Sequence, residues 1–266
     1  MHTDTQPQVA LVTGASCGLG AEVARQLAQN GAQVIVAYRD NRDDADAVVA
    51  DIRGAGGEAR ALETDILDGD SVSAMTDDIR RQFGHIDTLV LNATAVPVSA
   101  DAKAAKRDAQ RKFVAAALEL MAPGSRIVFV TSNQAHFYPN KGVLKGYEPI
   151  LASKRDDESD LYAMRPEISR RGVACTVVTG DFLEAAEDSP EAQALAHQHD
   201  PAVPQVAAAV ALATVQPLPA SIVYADTSAP AANPGAILPD RLLSQLATWH
   251  ESTAVGRKVR EFANVS

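Results

Sequence analysis

A glycine-rich turn near the N-terminus has the residue types and spacing of a phosphate-binding loop. It follows the apolar run Val9–Val12 and continues as Thr13-Gly14-Ala15-Ser16-Cys17-Gly18-Leu19-Gly20. Glycines permit a tight turn and let the backbone approach a pyrophosphate, while the N-terminus of the next helix presents N–H groups to the phosphates. The GxxxGxG spacing also lacks the GxxxxGK[ST] pattern of nucleoside triphosphatases. We therefore predict that this turn binds a dinucleotide; an ordinary strand–helix turn is the simpler alternative.

Short apolar runs alternate with amphipathic helical stretches along the rest of the chain. The predicted strands are Val9–Val12, Gln33–Tyr38, Ala59–Leu62, Thr88–Asn92, Ile127–Thr131, Val173–Val178 and Ile222–Ala225. The predicted helices are Ala21–Asn30, Asp43–Arg53, Asp70–Phe83, Arg107–Met121, Pro149–Arg171, Pro204–Val215 and Leu238–Phe262. Strands that are apolar on both faces are typical of a parallel sheet covered by helices on both sides. We therefore predict an α/β, Rossmann-type, doubly wound fold with a seven-stranded parallel sheet, in one domain spanning residues 1–266.

Charge, hydropathy and cysteine count argue against several classes of partner. The 266 residues carry a net charge of −10 without a basic stripe, which disfavours nucleic acid and anionic membranes. No apolar run reaches the ~18 residues of a membrane span, and the polar start MHTDTQPQ resembles neither a signal nor a transit peptide. The two cysteines, Cys17 and Cys175, predict neither a disulfide framework nor a metal site. We expect a soluble, cytoplasmic protein that holds no metal.

The turn TGASCGLG is similar to the TGxxxGxG loop of the short-chain dehydrogenase/reductase family. Further matches follow in the family's order over about residues 8–228. They are Asp65-Ile66 at the adenine position, Asn92-Ala93-Thr94 at the family's NNAG, the strand ending at Ser132, and Thr179-Gly180 at the family's PG. Thr94 departs from the family's last Gly and Thr179 from its Pro. The resemblance implies that these segments, together with the loop residues Gly14, Ser16, Cys17, Gly18, Leu19 and Gly20, contact a nicotinamide dinucleotide.

The end of the second strand decides which dinucleotide is preferred. An acidic residue there hydrogen-bonds the ribose 2′-hydroxyl of NAD, whereas a basic residue pairs with the 2′-phosphate of NADP. Tyr38 takes the position of that acid, and Arg39 follows with a guanidinium that can fork onto a phosphate. We therefore predict NADP(H). A solvated surface arginine is the alternative, and Asp40 could neutralise the charge of Arg39.

The family's catalytic residues are only partly matched. In the family a Ser polarises the carbonyl group, a Tyr protonates it, and a Lys four residues later lowers the pKa of the Tyr and holds the cofactor ribose. Ser132 matches the Ser, although a strand-end cap is its simpler interpretation, and Lys154 in Ala-Ser-Lys matches the Lys. The tyrosine position is occupied by Ile150, which cannot donate a proton. Lys106 lies near the place of the family's Asn.

Tyr147 is the predicted substitute for the missing tyrosine. Seven residues separate it from Lys154, which on a continuous helix is ~10 Å along the axis. Pro149 favours the first helical turn, so we expect Tyr147 in the loop before the helix, from where it could fold back toward the site. A free phenol has a pKa near ~10, so a neighbouring ammonium, with Lys154 as the candidate, is needed to favour the phenolate.

A less usual subgroup of the family has a similar run around these residues, S-x-Q-A-H-F followed by Y-E-P and S-K-R. Here Ser132 to Phe137, Tyr147 to Pro149 and Ser153 to Arg155 match it, which suggests a shared variant site. His136 could act as an acid near neutral pH, although a loop histidine packed on a neighbour is simpler. Tyr138 is expected to cover the substrate cleft.

The residues together predict an NADPH-dependent reductase for the carbonyl group of a hydrophobic metabolite. A non-redox enzyme on the same scaffold (a dehydratase, cyclase or isomerase) and an NADPH sensor stay open as alternatives. The acidic segment Asp181–Pro201 lies where the family has a mobile lid over the substrate, so we expect it to gate the pocket. The resemblance also implies a homo-oligomer, a dimer or a tetramer, formed through the helices Arg107–Met121 and Pro149–Arg171.

Overall fold

The computed structural model describes residues 7–93, 99–140, 142, 147–182, 202–215 and 222–225. All of them lie within one compact unit, Met1–Thr227. The predictions for residues 183–201 of the lid, for Thr94 and for the helix Leu238–Phe262 concern segments outside the described residues. The single domain over residues 1–266 stays a prediction.

The strands form one parallel sheet of seven. They are β1 Val9–Thr13, β2 Gln33–Tyr38, β3 Glu58–Glu63, β4 Thr88–Leu91, β5 Arg126–Ser132, β6 Ala174–Gly180 and β7 Ile222–Tyr224. Their order is β3-β2-β1-β4-β5-β6-β7, with every neighbouring pair parallel. The chain reverses direction across the sheet between β1 and β4, and this switch point is where open α/β sheets bind ligands. The predicted doubly wound fold is confirmed.

Helices cover both faces of the sheet. They are α1 Gly18–Gln29, α2 Arg42–Gly54, α3 Gly69–Gln82, α4 Ala100–Leu118, α5 Asn133–His136, α6 Glu148–Arg170 and α7 Val203–Val215. Alternate residues of a strand point to opposite faces. Ala10 and Val12 of β1 accordingly join a core with α1, α2 and α7, whereas Val9 and Leu11 join a second core with α3, α4 and α6. Lys154, the catalytic candidate on α6, therefore lies on the face of the sheet that α3, α4 and α6 cover.

The observed bounds differ from the predicted ones by at most three residues, except in two places. Helix α4 begins at Ala100 rather than Arg107, because Ser99 caps it by accepting from the backbone N–H of Ala102 at 3.1 Å. Alanines and lysines in the added turns are good helix formers. The stretch after Ser132, predicted as loop, opens with the short helix α5, capped by the Ser132 hydroxyl. In the described part of the chain no helix has the length and apolarity to span a membrane.

Candidate active site

The glycine-rich turn joins β1 to α1 and is packed against the end of β4. Gly14 and Gly18 adopt φ values of +61° and +55°, in the left-handed region that favours glycine. A Cβ atom at Gly20 would overlap the carbonyl oxygen of Gly14 and lie 2.7 Å from the side-chain amide of Asn92. Half-buried Ser16 and Cys17 lie between these glycines. The turn therefore needs glycine at these positions.

Hydrogen bonds fix the turn to the end of β4. The Thr13 hydroxyl donates to the carbonyl of Val90 at 3.2 Å and accepts from the backbone N–H groups of Asn92 and Ala93 at 3.0 and 3.2 Å. The Asn92 side-chain amide donates to the carbonyl of Gly14 at 3.1 Å. These bonds hold the start of α1 beside the switch point. Asn92 and Ala93, predicted from the family pattern, thus lie against the loop they were expected to accompany.

The start of α1 has the properties of a pyrophosphate cradle. The helix begins at Gly18, and its first turn, which includes Leu19 and Gly20, has no acidic side chain. The first N–H groups of a helix lack intrahelical partners and carry partial positive charge. Glycines at the closest approach let a phosphate reach this backbone. The helix N-terminus, free of acidic side chains and held against the end of β4 by the close contact at Gly20, therefore fits a dinucleotide pyrophosphate.

A cleft beside the loop continues along the ends of β2 and β3. Its lining residues include Gly14, Tyr38, Arg39, Asp65, Ile66 and Ala93. Tyr38 is buried in the core, with 5% of its surface exposed. Arg39 Nε donates to Asp40 Oδ2 at 2.7 Å, and the Asp40 side chain is 67% exposed. The cleft matches an adenosine half in position, and Arg39 reaches it already paired with a carboxylate.

The predicted adenine residue Asp65 holds its own loop. Its Oδ1 accepts from the backbone N–H of Leu67 at 2.8 Å, and its backbone N–H donates to the Ser71 hydroxyl at 3.0 Å. This side-chain turn fixes the exit from β3 at the floor of the cleft. Asp65 and Ile66 therefore lie in a turn that hydrogen bonds hold in place, and they line the cleft.

Ser132 closes β5 at the same carboxyl edge of the sheet. Its side chain is buried, and its hydroxyl accepts from the backbone N–H of Ala135 at 3.2 Å as the cap of α5. Ser132 lies in register with Gly180 of β6. The neighbouring Thr179 donates its hydroxyl to Asn133 Oδ1 at 3.0 Å. The capping interpretation is thus confirmed, and the same placement brings Ser132 beside Thr179 and Gly180.

Lys154 is a fully buried cation that reaches the end of β4. Its Nζ donates to the carbonyl oxygen of Asn92 at 2.7 Å and lies 5.0 Å from the centre of the Phe129 ring. A buried ammonium requires such compensation, because desolvation of an unpaired charge costs several kcal/mol. Lys154 therefore joins α6 to the segment that holds the glycine-rich loop.

Tyr147 lies immediately before α6, as the position of Pro149 predicts. It is the N-cap residue, its carbonyl accepts from the N–H of Leu151 at 3.1 Å, and its side chain is buried. Among the described residues its hydroxyl has no hydrogen-bond partner. Burial raises the pKa of Tyr147, so the lowering expected from a neighbouring Lys154 is not found, and the phenol stays protonated at neutral pH.

The family's tyrosine position is occupied by a core residue. Ile150 is buried, with 4% of its surface exposed. It can offer neither a proton nor a hydrogen bond. Any acid of this site therefore comes from another position.

A buried polar cluster that the sequence did not predict joins α4 to α6. Lys106 Nζ donates to Asp157 Oδ2 at 2.8 Å and to the Ser153 hydroxyl, and all three side chains are buried. Burial raises the pKa of Asp157 to about 6, although the charges of Lys106 and Lys154 oppose this shift. Lys106, near the place of the family's Asn, thus pairs with Asp157, which lies three residues after Lys154 on α6. The sequence alone does not identify Ser153 and Asp157 as the partners of Lys106.

A second unpredicted pair joins α5 to α6. His136 Nδ1 is 2.9 Å from Oε1 of Glu158, whose side chain is fully buried and also pairs with Arg155 at 3.0 Å. The Tyr224 hydroxyl lies 3.5 Å from His136 Nε2. His136 therefore belongs to α5 and a charged network, not to an irregular loop. The one sequence signal was the four-residue step from Lys154 to Glu158, which places both on one face of α6.

Comparison with known proteins identifies the family. A family model described as short chain dehydrogenase matches residues 8–185. The 1-cyclohexenylcarbonyl-CoA reductase of Streptomyces collinus is 31% identical over 197 residues, which are 69% of this chain and 68% of that protein. A short-chain dehydrogenase from Burkholderia cenocepacia, solved in complex with NADP, is 28% identical with a TM-score of 0.64 and covers 84% of this chain and 99% of its own.

A further solved structure is the promiscuous reductase LugOII, which catalyses keto-reduction at C1 during lugdunomycin biosynthesis. It is 26% identical, has a TM-score of 0.62, and covers 78% of this chain and 89% of its own. These likenesses agree with the parallel sheet, the glycine-rich turn and the order of the motifs along the chain. The chain belongs to the short-chain dehydrogenase family of oxidoreductases.

Proposed function

We propose that this protein is an NADPH-dependent reductase that acts on a carbonyl group of a hydrophobic metabolite. The observation that carries the proposal is the shared position of Asn92. Its side chain holds the glycine-rich loop through Gly14, and its backbone carbonyl binds the buried Lys154. A dinucleotide laid on the loop would therefore extend toward Lys154 and the buried Ser132.

Residues from several parts of the fold would hold the cofactor. The first turn of α1 would take the pyrophosphate, the cleft of Tyr38, Asp65 and Ile66 the adenosine, and the ends of β4 and β6 the nicotinamide half. When bound, NADPH supplies a hydride to the carbonyl carbon. Lys154 would hold the ribose beside the nicotinamide.

Two hydroxyl groups would handle the carbonyl oxygen. Ser132 would donate a hydrogen bond that polarises the carbonyl group, because its side chain is fixed at the strand end. Tyr147 would donate the proton, because its buried hydroxyl has no hydrogen-bond partner among the described residues. Burial raises the pKa of this phenol, which makes it a weaker acid than a free tyrosine. The buried environment also strengthens both interactions relative to water.

The preference for NADPH rests on Arg39. Its guanidinium is the basic group at the end of β2, and the Burkholderia cenocepacia relative was solved with NADP. Pairing with Asp40 orients Arg39 beside the cleft. A 2′-phosphate would share this guanidinium with the exposed carboxylate.

We also propose a cytoplasmic homo-oligomer, a dimer or a tetramer, formed through α4 and α6. The two helices contact each other along one face of the sheet. Light scattering coupled to size exclusion would measure the mass; a monomer at micromolar concentration would contradict this part.

Turnover of NADPH tests the proposed activity. The purified protein is mixed with NADPH and each of a panel of cyclic and aryl ketones. The amount of NADPH consumed, measured from its absorbance, is compared with the amount of alcohol formed. We expect one alcohol for each NADPH consumed, with Ser132→Ala as the inactive control. Product formation without NADPH loss would instead select a non-redox enzyme. Binding of NADPH without any turnover across the panel would select a sensor.

A further inference from the structure

Two exposed aromatic rings lie together at the ligand-binding edge of the sheet. Phe137 follows α5 directly and Tyr224 ends β7; their side chains are 43% and 51% exposed. The rings are nearly parallel, 10° between planes, with centres 6.2 Å apart. Exposed large apolar side chains that cluster commonly mark a binding site. The pair offers a flat surface on which a further aromatic ring can stack.

His136 adds one polar group to this surface, and its tautomer follows from its contact with Glu158. Its ring contacts Phe137 and Tyr224 edge-on, at 4.8 and 6.0 Å between centres. The Glu158 carboxylate is an acceptor only, so His136 Nδ1 carries the proton that faces it. In the neutral imidazole Nε2 is then an acceptor, and it faces outward to the Tyr224 hydroxyl. At 3.5 Å this contact is long, which leaves both groups able to bind a ligand hydroxyl.

The position of the pair relative to Ser132 sets the length of a ligand. Tyr224 is in register with Thr179 of β6, which in turn is in register with Thr131 of β5, next to Ser132. Two strand spacings separate β5 from β7, about 10 Å. A ligand of two or more fused rings spans this distance between Ser132 and the aromatic pair.

We propose that Phe137, Tyr224 and His136 bind the phenolic end of an aromatic ketone. The ring of the substrate stacks on the aromatic pair, and its hydroxyl donates to His136 Nε2 beside the hydroxyl of Tyr224. Glu158 acts as a positioning residue, because it fixes the tautomer and orientation of His136. The assignment of a ketone rests on the proposed reductase function; the phenol site itself is testable without it.

Binding of two matched naphthalenes tests the phenol site. The full-length protein, with and without NADP⁺, is titrated calorimetrically with 2-naphthol and with 2-methoxynaphthalene, which has the same rings but no hydroxyl donor. We expect about tenfold tighter binding of 2-naphthol, as one net hydrogen bond provides. His136→Asn should abolish this preference. Tyr224→Leu should weaken both ligands because it removes the stacking surface, and should weaken 2-naphthol more because it also removes the hydroxyl.

Tyr224→Phe keeps the test informative if the His136 variant fails to fold, because the Tyr224 side chain is largely exposed. It retains the ring and loses only the hydroxyl, so binding of 2-naphthol alone should weaken. Equal affinity of the parent protein for the two naphthalenes would overturn the proposal. So would a preference that survives in both Tyr224→Phe and a folded His136→Asn.

Turnover separates this proposal from the proposed function. With 6-hydroxy-1-tetralone and 6-methoxy-1-tetralone as substrates, we expect a higher kcat/KM for the hydroxy ketone and loss of that difference in His136→Asn. If no ketone consumes NADPH while 2-naphthol is still preferred, the reductase function fails and the phenol site stands. If both tetralones are reduced equally and neither variant changes their ratio, the reductase function stands and the phenol site fails.

Discussion

The ammonium of Lys154 is bound to the backbone of Asn92, with 2.7 Å between Nζ and the carbonyl oxygen. The side chain of Asn92 meanwhile binds the carbonyl of Gly14. One residue at the end of β4 thus connects the catalytic candidate on α6 to the glycine-rich loop. A disturbance of that loop should therefore reach Lys154 through a single intervening residue.

Replacement of Gly20 by alanine should abolish dinucleotide binding. The added methyl group would overlap the Gly14 carbonyl and press on the Asn92 amide, so the loop must move. Gly54→Ala is the matched control, because a Cβ atom there meets nothing within 4 Å at the end of α2. We expect the control to bind NADPH normally and to be as stable as the parent or more so, by up to about 1 kcal/mol. NADPH affinity is measured by fluorescence. A Gly20→Ala variant that binds NADPH with parental affinity would contradict this prediction.

Arg39→Ala should weaken NADPH much more than NADH. The guanidinium would pair with a phosphate that NADH lacks, and loss of such a charge-assisted interaction typically costs about 1.5 to 3 kcal/mol, or roughly ten- to hundredfold in Kd. Arg80→Ala is the control, since Arg80 lies exposed on α3 and pairs with Asp77. Kd values for both dinucleotides give the result. Equal losses for NADPH and NADH would exclude Arg39 as the 2′-phosphate ligand.

Tyr147→Phe should lower kcat by about 10²- to 10⁴-fold, the usual contribution of a general acid. The substitution removes only a hydroxyl group that is buried without a hydrogen-bond partner among the described residues. The free energy of unfolding should therefore stay equal or rise slightly, because desolvation of that hydroxyl is no longer required. Single-turnover kinetics and urea unfolding on the same preparation would check both. Unchanged kcat would show that Tyr147 is not the acid.

Lys106→Met should destabilise the protein by about 3 to 5 kcal/mol, because it leaves the Asp157 carboxylate buried without its cation. The double variant Lys106→Met with Asp157→Leu removes both charges and should recover much of that loss. Urea unfolding of the parent, the two single variants and the double variant completes the cycle. Additive losses would show that the observed 2.7 Å ion pair does not couple the two residues energetically.

The raised pKa of Asp157 should make stability fall as pH rises from its ordinary value, 3.8, to about 6. Burial is the main cause of the shift. Within this window the folded protein holds a proton on Asp157 that the unfolded chain has released, so higher pH favours unfolding. The slope from this group approaches about −1.4 kcal/mol per pH unit.

Asp157→Asn should lose that slope. Unfolding free energies of the parent and of Asp157→Asn, measured in urea across the window, give a difference in which other titrating groups largely cancel. A difference that is independent of pH would mean that Asp157 titrates at its ordinary value in the folded protein.

The elements were largely predictable because their signals are local. Apolar runs on both faces predicted the parallel sheet, and a proline placed Tyr147 at the start of α6. The start of α4 was missed because its first two turns consist of alanine and charged residues. They hold too few large apolar side chains to show a helical period. Ser99 was the available signal, a cap residue two positions before an acidic side chain.

The side-chain network of the site was less predictable because its partners are distant in sequence. Lys106 and Asp157 are 51 residues apart, and His136 and Glu158 are 22 apart. No periodicity within one helix identifies such partners, since packing of α4, α5 and α6 decides which charges meet. Lys154 was assigned from the family pattern, yet its buried contact with the carbonyl of Asn92 required the fold.

The ion pair of Arg39 with Asp40 has a practical consequence for redesign. Both side chains follow β2 and bind each other, whereas Asn92, Gly14 and Lys154 are interlocked at the end of β4. If Arg39 binds the 2′-phosphate as proposed, we expect substitutions at these two neighbouring positions to change coenzyme preference and to leave the interlocked residues at the end of β4 untouched.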